Sequence, residues 1–259
     1  MTAEVLVEWR TGQLSIVLSR PAVRNAISPG MLTALTEAIV EAADREVRIV
    51  TIRGAGGAFC AGADIASYVD PGANLDRLEA FTRSARRLCR MLEELPAVVV
   101  AAVEGPCLGG GFELALASDL IIADPGARFG LPEARLGLIP GWGGTQRLTR
   151  AIGSRRSRAM ILGATLLDAS TAHDLGLVAE LAPDGGLTEG LDGLVARLAE
   201  GSPLAMVSAK RAIIAVEPAW PDAGAEVETT ELMSRFASND GAEGISAFIE
   251  KRPPRFTGA

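Results

Sequence analysis

The sequence contains one histidine and three cysteines in 259 residues. His173 stands alone, and Cys60, Cys89 and Cys107 form no C-x-x-C pair, which excludes the usual transition-metal ligand sets. Three scattered thiols also argue against a disulfide framework. In "DASTAHDLG", His173 reads as a solvated or capped residue of a surface helix. Cations are outnumbered, 25 Lys and Arg against 32 Asp and Glu, for a net charge of −7. No basic tract can neutralise nucleic-acid phosphates, although a small anionic ligand needs only a few local cations. At 4%, aromatic residues offer few stacking faces for single-stranded nucleic acid. Long apolar runs are missing too: "AVVVAAV" is far short of the ~20 residues of a membrane helix. The N-terminal "MTAEVLVEWR" has no basic stretch before an apolar core, so no secretory signal and a cytoplasmic location are expected.

What the chain does have is apolar bulk, 48% of its residues, enough for the core of a single α/β domain. "EVLVEW" and "QLSIVLS" straddle a Thr-Gly turn and read as a hairpin. Ser28 and Pro29 read as the N-cap and first residue of a helix, with Leu32, Leu35, Ile39 and Val40 repeating at helical spacing. "VRIVTIRG" is a strand ending in the glycine cluster 54–64. A long amphipathic helix follows, carrying Leu78, Phe81, Ala85, Leu88, Leu92 and Leu95 on one face and stopped by Pro96. "AVVVAAVEG" and "DLIIAD" read as strands buried on both faces. The stretch from Ala127 to Leu148 is loop-rich and leads into a helix. From about residue 196, helical segments follow without strands. The division expected is 1–195 for a core bearing the site and 196–259 for a helical region.

Three glycine sites bear on chemistry. "GAGGAF" has Phe59 where a dinucleotide-binding loop needs its third glycine, and no G-x-x-x-x-G-K is present. Gly109, Gly110 and Gly111 lie where a strand becomes a helix, and helix N-terminal N–H groups point outward with partial positive charge. "CAGADI" offers another bare N–H at the end of a strand. Two donors converging on one oxygen would form an oxyanion hole; the other reading is tight turns alone. Glu113 and Glu133 both lie in apolar surroundings. Such a pair can hold one acid protonated and one ionised, which suits acid and base work together; otherwise both are solvated acids.

"RPAVRNAIS", "GAFCAGADI", "GPCLGGGFELALASD", "FGLPEARLGLIPGWGGTQRL" and the tail "FIEKRPPRFTG" together resemble the crotonase (enoyl-CoA hydratase/isomerase) superfamily, in order and over almost the whole chain. The resemblance implies an α/β fold, a crotonase-like spiral of ββα repeats with a C-terminal helical trimerisation subdomain, and a homotrimer or dimer of trimers. It implies an acyl-CoA substrate, with coenzyme A as part of that substrate and no separate cofactor, metal, nucleic-acid or membrane partner. On this pattern the N–H groups of Ala63 and Gly110 form the oxyanion hole. Glu113 activates water and Glu133 protonates Cα. The N–H of Gly141 lies beside the water. Arg24, Ala26, Ala61, Asp64, Ile65 and Pro132 are expected to contact the substrate or its CoA, with Arg24, Lys251 and Arg252 as candidate cations for the phosphates.

The sequence departs from the pattern at two places. Ala66 stands where many hydratases carry lysine. Trp142 replaces a smaller residue, either plugging the acyl pocket or packing as an ordinary aromatic. Tyr68 and Phe81, in and beside the variable 67–78 segment, are expected to line the acyl tunnel. The implied function is enoyl-CoA hydratase, syn addition of water to a 2-enoyl-CoA giving 3-hydroxyacyl-CoA in fatty-acid or related acyl-CoA catabolism. An isomerase of the same fold tends to lose one of the two glutamates. A noncatalytic acyl-CoA-binding or RNA-binding member needs neither.

Overall fold

Thr11 and Gly12 close a hairpin between β1 (Val5–Arg10) and β2 (Gln13–Leu18), the alternating pattern of β2 placing Leu14, Ile16 and Leu18 inside. These are the first elements of a computed structural model that describes residues 3–65, 75–216 and 222–257. Ser28 caps α1 (Pro29–Asp44), accepting a hydrogen bond from the Met31 N–H. Met31, Leu35, Ala38 and Ile39 form its buried stripe, whereas Val40 lies outside that stripe and is 49% exposed, against the expectation.

β3 (Ile49–Gly54) pairs parallel to β2, and α2 (Leu75–Glu94) ends just before Pro96. β4 (Val98–Val103) is buried along its whole length, as a uniformly apolar run must be, because β3 and β6 (Leu120–Ala123) flank it in parallel. Between β4 and β6 come β5 (Pro106–Leu108) and α3 (Gly110–Leu116). β7 (Arg128–Gly130) pairs with β5, and a one-turn helix, Glu133–Leu136, follows it. Next are α4 (Gly144–Ile152), α5 (Ser154–Leu162), β8 (Leu167–Asp168), α6 (Ala169–Asp174) and β9 (Glu180–Leu181).

The larger sheet runs β1-β2-β3-β4-β6-β9 and the smaller β5-β7-β8. Bridges Ile27↔Ala63 and Cys60↔Cys107 tie the loops after β2 and β3 to the smaller sheet. This is the mixed α/β fold expected from the sequence. Asn25, fully buried, pins two of these loops together: its Nδ2 donates to the carbonyls of Ala55 (2.9 Å) and Ala58 (2.7 Å), and its Oδ1 accepts the Arg20 N–H at 2.9 Å.

Four helices close the chain: α7 (Leu187–Glu200), α8 (Pro203–Val216), α9 (Asp222–Phe236) and α10 (Asn239–Ile249). The helical run thus starts at Leu187, before the position read from the sequence. Gly190 and Gly193 weaken the helix signal of α7, but Leu191 and Leu194 bury against Val98, Val100 and Ile122 of the sheet. Lys210 of α8 fixes the next helix: its Nζ donates to the carbonyls of Leu92 and Ala97 (both 3.0 Å) and to Asp119 (2.8 Å). Among the described residues no helix is long and apolar enough to cross a membrane.

Candidate active site

The site grows from the junction of β5 and α3. Gly109 turns the chain there with φ 53° and ψ −131°, a conformation essentially closed to residues with side chains. Its N–H donates to the Gly130 carbonyl at 2.9 Å, locking the turn against β7. Gly110 is required for another reason: a Cβ there would lie 2.4–2.7 Å from three ring atoms of Trp142. Across from it runs the loop through Ala63. The Ala61 N–H donates to Arg24, the Asp64 N–H to Ile27, and the Gly62 carbonyl accepts from Ile27. These bonds hold the loop rigid, while the N–H groups of Ala63 and Gly110 donate to no atom of the described residues. The two segments are in contact, since a Cβ on Gly62 would come within 3.4 Å of the Gly110 nitrogen.

Glu113, in the first turn of α3, is 2% exposed. Its Oε1 accepts the N–H groups of Trp142 (2.7 Å) and Gly144 (2.6 Å), at the N-terminus of α4. Burial, then the charges of Glu228 and Glu133, push its carboxyl well above the ordinary range; the two N–H groups pull the other way. Glu133 starts the one-turn helix. Its Oε2 is buried with no hydrogen-bond partner. Burial first, and then the Glu228 charge, push it up to about 8, against the pull of its own backbone N–H. The three thiols are inert: burial pushes Cys60 and Cys89 up to about 12 and Cys107 well above its usual value.

One cavity of about 110 Å³ gathers Ala61, Ala63, Ile65, Gly110, Glu113, Pro132, Glu133 and Gly141, so eight of the eleven residues singled out in the sequence meet there. Asp64 instead pairs with Arg20 at 2.8 Å. Arg24 and Ala26 lie on the adjoining loop and use their carbonyls to hold it, Arg24 from Ala61 and Ala26 from the Arg20 guanidinium. Arg252 is bound by Glu243 and Glu250, and Lys251 is exposed. Ala66 and Tyr68 lie outside the described residues. Phe81 lines the cavity and tilts against Trp142, ring centroids 5.7 Å apart. Trp142 is 5% exposed and its ring abuts Gly110, so it both packs and closes the cavity.

Residues 9–259 match the family model described as enoyl-CoA hydratase/isomerase. The chain belongs to the enoyl-CoA hydratase/isomerase family. It is 36% identical over 257 residues to the 2,3-dehydroadipyl-CoA hydratase of Escherichia coli (strain K12), covering 99% of both chains. It is 35% identical over 260 residues to the mitochondrial methylglutaconyl-CoA hydratase of Mus musculus, covering 98% of this chain and 82% of that one. Among solved structures, an enoyl-CoA hydratase from Mycobacterium avium subsp. paratuberculosis K-10 superimposes with a TM-score of 0.89 at 32% identity, over 99% of this chain and 100% of that one.

This enoyl-CoA hydratase/isomerase family member also has site residues that the sequence did not expose. Thr82 of α2 and Leu232 and Phe236 of α9 line the cavity. Glu228 of α9, 3% exposed, accepts from the Gly143 N–H (2.7 Å) and from the hydroxyl and N–H of Thr145. Burial raises its proton affinity, while those donors and the Arg147 charge lower it. Arg147 grips Glu93 through Nε and Nη2 (2.7 and 2.8 Å) and donates from Nη1 to the Trp142 carbonyl at 2.7 Å. Nothing local marks Glu228 in "AEVETTELM", where Glu226 and Glu231 are equally plausible acids.

Proposed function

We propose that the chain is an enoyl-CoA hydratase that adds water syn across a 2-enoyl-CoA to give a 3-hydroxyacyl-CoA, in fatty-acid or related acyl-CoA breakdown. The observation that carries this reading is the pair of buried carboxyls, Glu113 and Glu133, on one cavity with the undonated N–H groups of Ala63 and Gly110. The thioester oxygen sits between those N–H groups. As charge develops on it, each donor lowers the barrier by roughly 3–4 kcal/mol.

Glu113 is the base. Two N–H groups on its Oε1 favour the anion, whereas Glu133 has an unpartnered Oε2, so the proton shared by the pair belongs to Glu133. Glu113 takes a proton from water as the water oxygen bonds to Cβ and the alkene electrons move to the thioester oxygen. The enolate collapses as Glu133 delivers its proton to Cα. One proton then passes from Glu113 back to Glu133, and the site is reset. The N–H of Gly141, a residue lining the same cavity, is assigned to that water. The CoA moiety is part of the substrate; no other cofactor enters, and Arg24 and Lys251 remain the cations assigned to its phosphates.

An isomerase needs only a single proton shuttle, and the retention of both acids favours hydration. Among the described cavity residues there is no Lys, Arg or His. That favours an apolar acyl chain over one ending in a carboxylate, which would have to desolvate without a partner. We place the enzyme in the cytoplasm as a homotrimer or dimer of trimers, with residues 1–195 as the spiral and 196–259 as the assembly region. Leu204, Ile213, Val227 and Phe248, exposed on α8, α9 and α10, supply apolar surface for assembly. Leu232 and Phe236 give the same region a share in the pocket.

The test is a spectrophotometric assay of 2-enoyl-CoA esters of graded length, with a carboxylate-ended 2-enoyl ester and a 3-enoyl ester alongside. The expected result is loss of enoyl absorbance, fastest with apolar chains. Turnover of the 3-enoyl ester alone would replace the reading with the isomerase.

A further inference from the structure

Four successive N–H groups at the start of α4 are divided between two carboxylates. Trp142 and Gly144 donate to Glu113, while Gly143 and Thr145 donate to Glu228. The turn, with Gly143 left-handed (φ 102°) just before α4 begins at Gly144, is pinched from both sides. One jaw is α3, which carries Glu113; the other is α9. The peptide joining Trp142 to Gly143 is held at both ends, its carbonyl by Arg147 and its N–H by Glu228. Helix starts leave such N–H groups unsatisfied, so four orphan donors are met by two acids.

We propose that Glu228 is a positioning residue of the reaction: it holds the 142–145 turn so that two N–H groups converge on Glu113, and it sets a third carboxylate against the Glu113–Glu133 pair. The proposal rests on the hydratase reading for the roles of that pair. A clamp alone does not call for a charge. Burying two carboxylates on one turn is costly, and a neutral acceptor in place of Glu228 would satisfy the same donors at less cost. What the charge adds is repulsion: Glu228 raises the proton affinity of both Glu113 and Glu133. It thereby helps retain the one proton that the pair must hold for delivery to Cα.

The groups facing Glu228 fit this role. α3 presents Glu113, the one-turn helix Glu133, and α4 presents Arg147, whose guanidinium is bound by Glu93 of α2. Also from α2, the Cys89 thiol stays protonated, and Arg86 donates to Thr229 at 2.7 Å. Asp240 and Glu243 of α10 turn outward to the tail, meeting Thr257 and Arg252. A glutamine at 228 keeps the shape but turns an NH₂ toward donors and removes the charge; an aspartate keeps the charge but shortens the reach.

The experiment compares wild type, Glu228→Gln and Glu228→Asp by hydration kinetics and by infrared titration of the buried protonated carboxyl band, assigned with Glu133→Gln. For Glu228→Gln, kcat should fall about 10- to 100-fold with KM within about threefold, the range expected when a catalytic group is misplaced by an ångström or less. The alkaline limb of kcat/KM, and the infrared midpoint, should both move to lower pH. For Glu228→Asp, kcat should fall while the limb and midpoint stay with the wild type. If Glu228→Gln folds, turns over and titrates like the wild type, the proposal is overturned. Should Glu228→Gln not fold, Thr145→Val removes one of its donors but keeps the charge and is read like Glu228→Asp, with a kcat loss of about 3- to 10-fold and an unmoved limb and midpoint expected; a wild-type rate would overturn the proposal equally. Should the wild type itself hydrate no enoyl ester, the hydratase reading fails, and the infrared midpoints, which need no substrate, still decide the role of Glu228.

Discussion

Replacing Glu133 with glutamine should stabilise the protein while removing the acid proposed to protonate Cα. In the unfolded chain this carboxyl ionises near 4.5; in the folded protein it holds its proton to about 8. From pH 4.5 to 8 the folded state binds the proton that the unfolded state releases, so stability falls as pH rises through that window and levels off above it. At pH 7, ~2.5 pH units above the unfolded value, the cost is at most ~3.4 kcal/mol. The cleft admits some solvent and Glu113 shares the proton, which reduces the cost to about 1–2 kcal/mol. Glutamine removes the ionisable group without breaking a bond, because Oε2 has no partner. For a chain of this size that corresponds to a melting temperature about 2–8 °C higher at pH 7. Thermal melts of both proteins from pH 5 to 8.5 provide the assay. The variant's advantage should be small near pH 5 and grow toward pH 8. Equal melting temperatures throughout, or a variant less stable than wild type at pH 8, would refute the reasoning.

Other consequences are equally direct. Because the acid must be protonated, kcat for hydration should fall as pH rises through about 8, and a pH–rate profile checks it. Gly110→Ala drives a Cβ to within 2.4–2.7 Å of the Trp142 ring; stopped-time assays and melts should show both a kcat loss of about 10²-fold or more and a lower melting temperature. Arg147→Lys gives up the fork on Glu93 and the bond to the Trp142 carbonyl, and denaturant unfolding should register about 2–4 kcal/mol lost.

The parts of the molecule that were legible before any coordinates are those governed by local chemistry. β4 announces itself because a short, valine-rich and uniformly apolar run suits a strand buried on both faces. Ser28 and Pro29 mark a helix start by capping alone. Glu113 and Glu133 stand out as acids set among apolar neighbours, though local chemistry left solvated acids as the other reading, and the family resemblance picked Gly110 out of its three glycines. Glu228 was hidden for the opposite reason. It sits among other acids on a helix whose polar appearance is that of a solvated face, and only the packing of α9 against the start of α4 makes it a buried ligand of two N–H groups. α7 was hidden by its glycines, and the misreading of Val40 came from counting an apolar residue into a stripe whose direction tertiary packing sets. Arg147 reads as one more surface cation until Glu93, more than fifty residues away, closes on it.

The most direct test of the two-acid account is a paired measurement on Glu113→Gln and Glu133→Gln: kcat for hydration of a short 2-enoyl-CoA, and the dissociation constant of a saturated acyl-CoA of the same length. General acid–base catalysis is worth about 10²–10⁴-fold for each group. The account predicts a kcat loss in that range for both variants with acyl-CoA affinity within about threefold of wild type, since the N–H groups of Ala63 and Gly110 still bind the thioester. Either variant hydrating at the wild-type rate would contradict it.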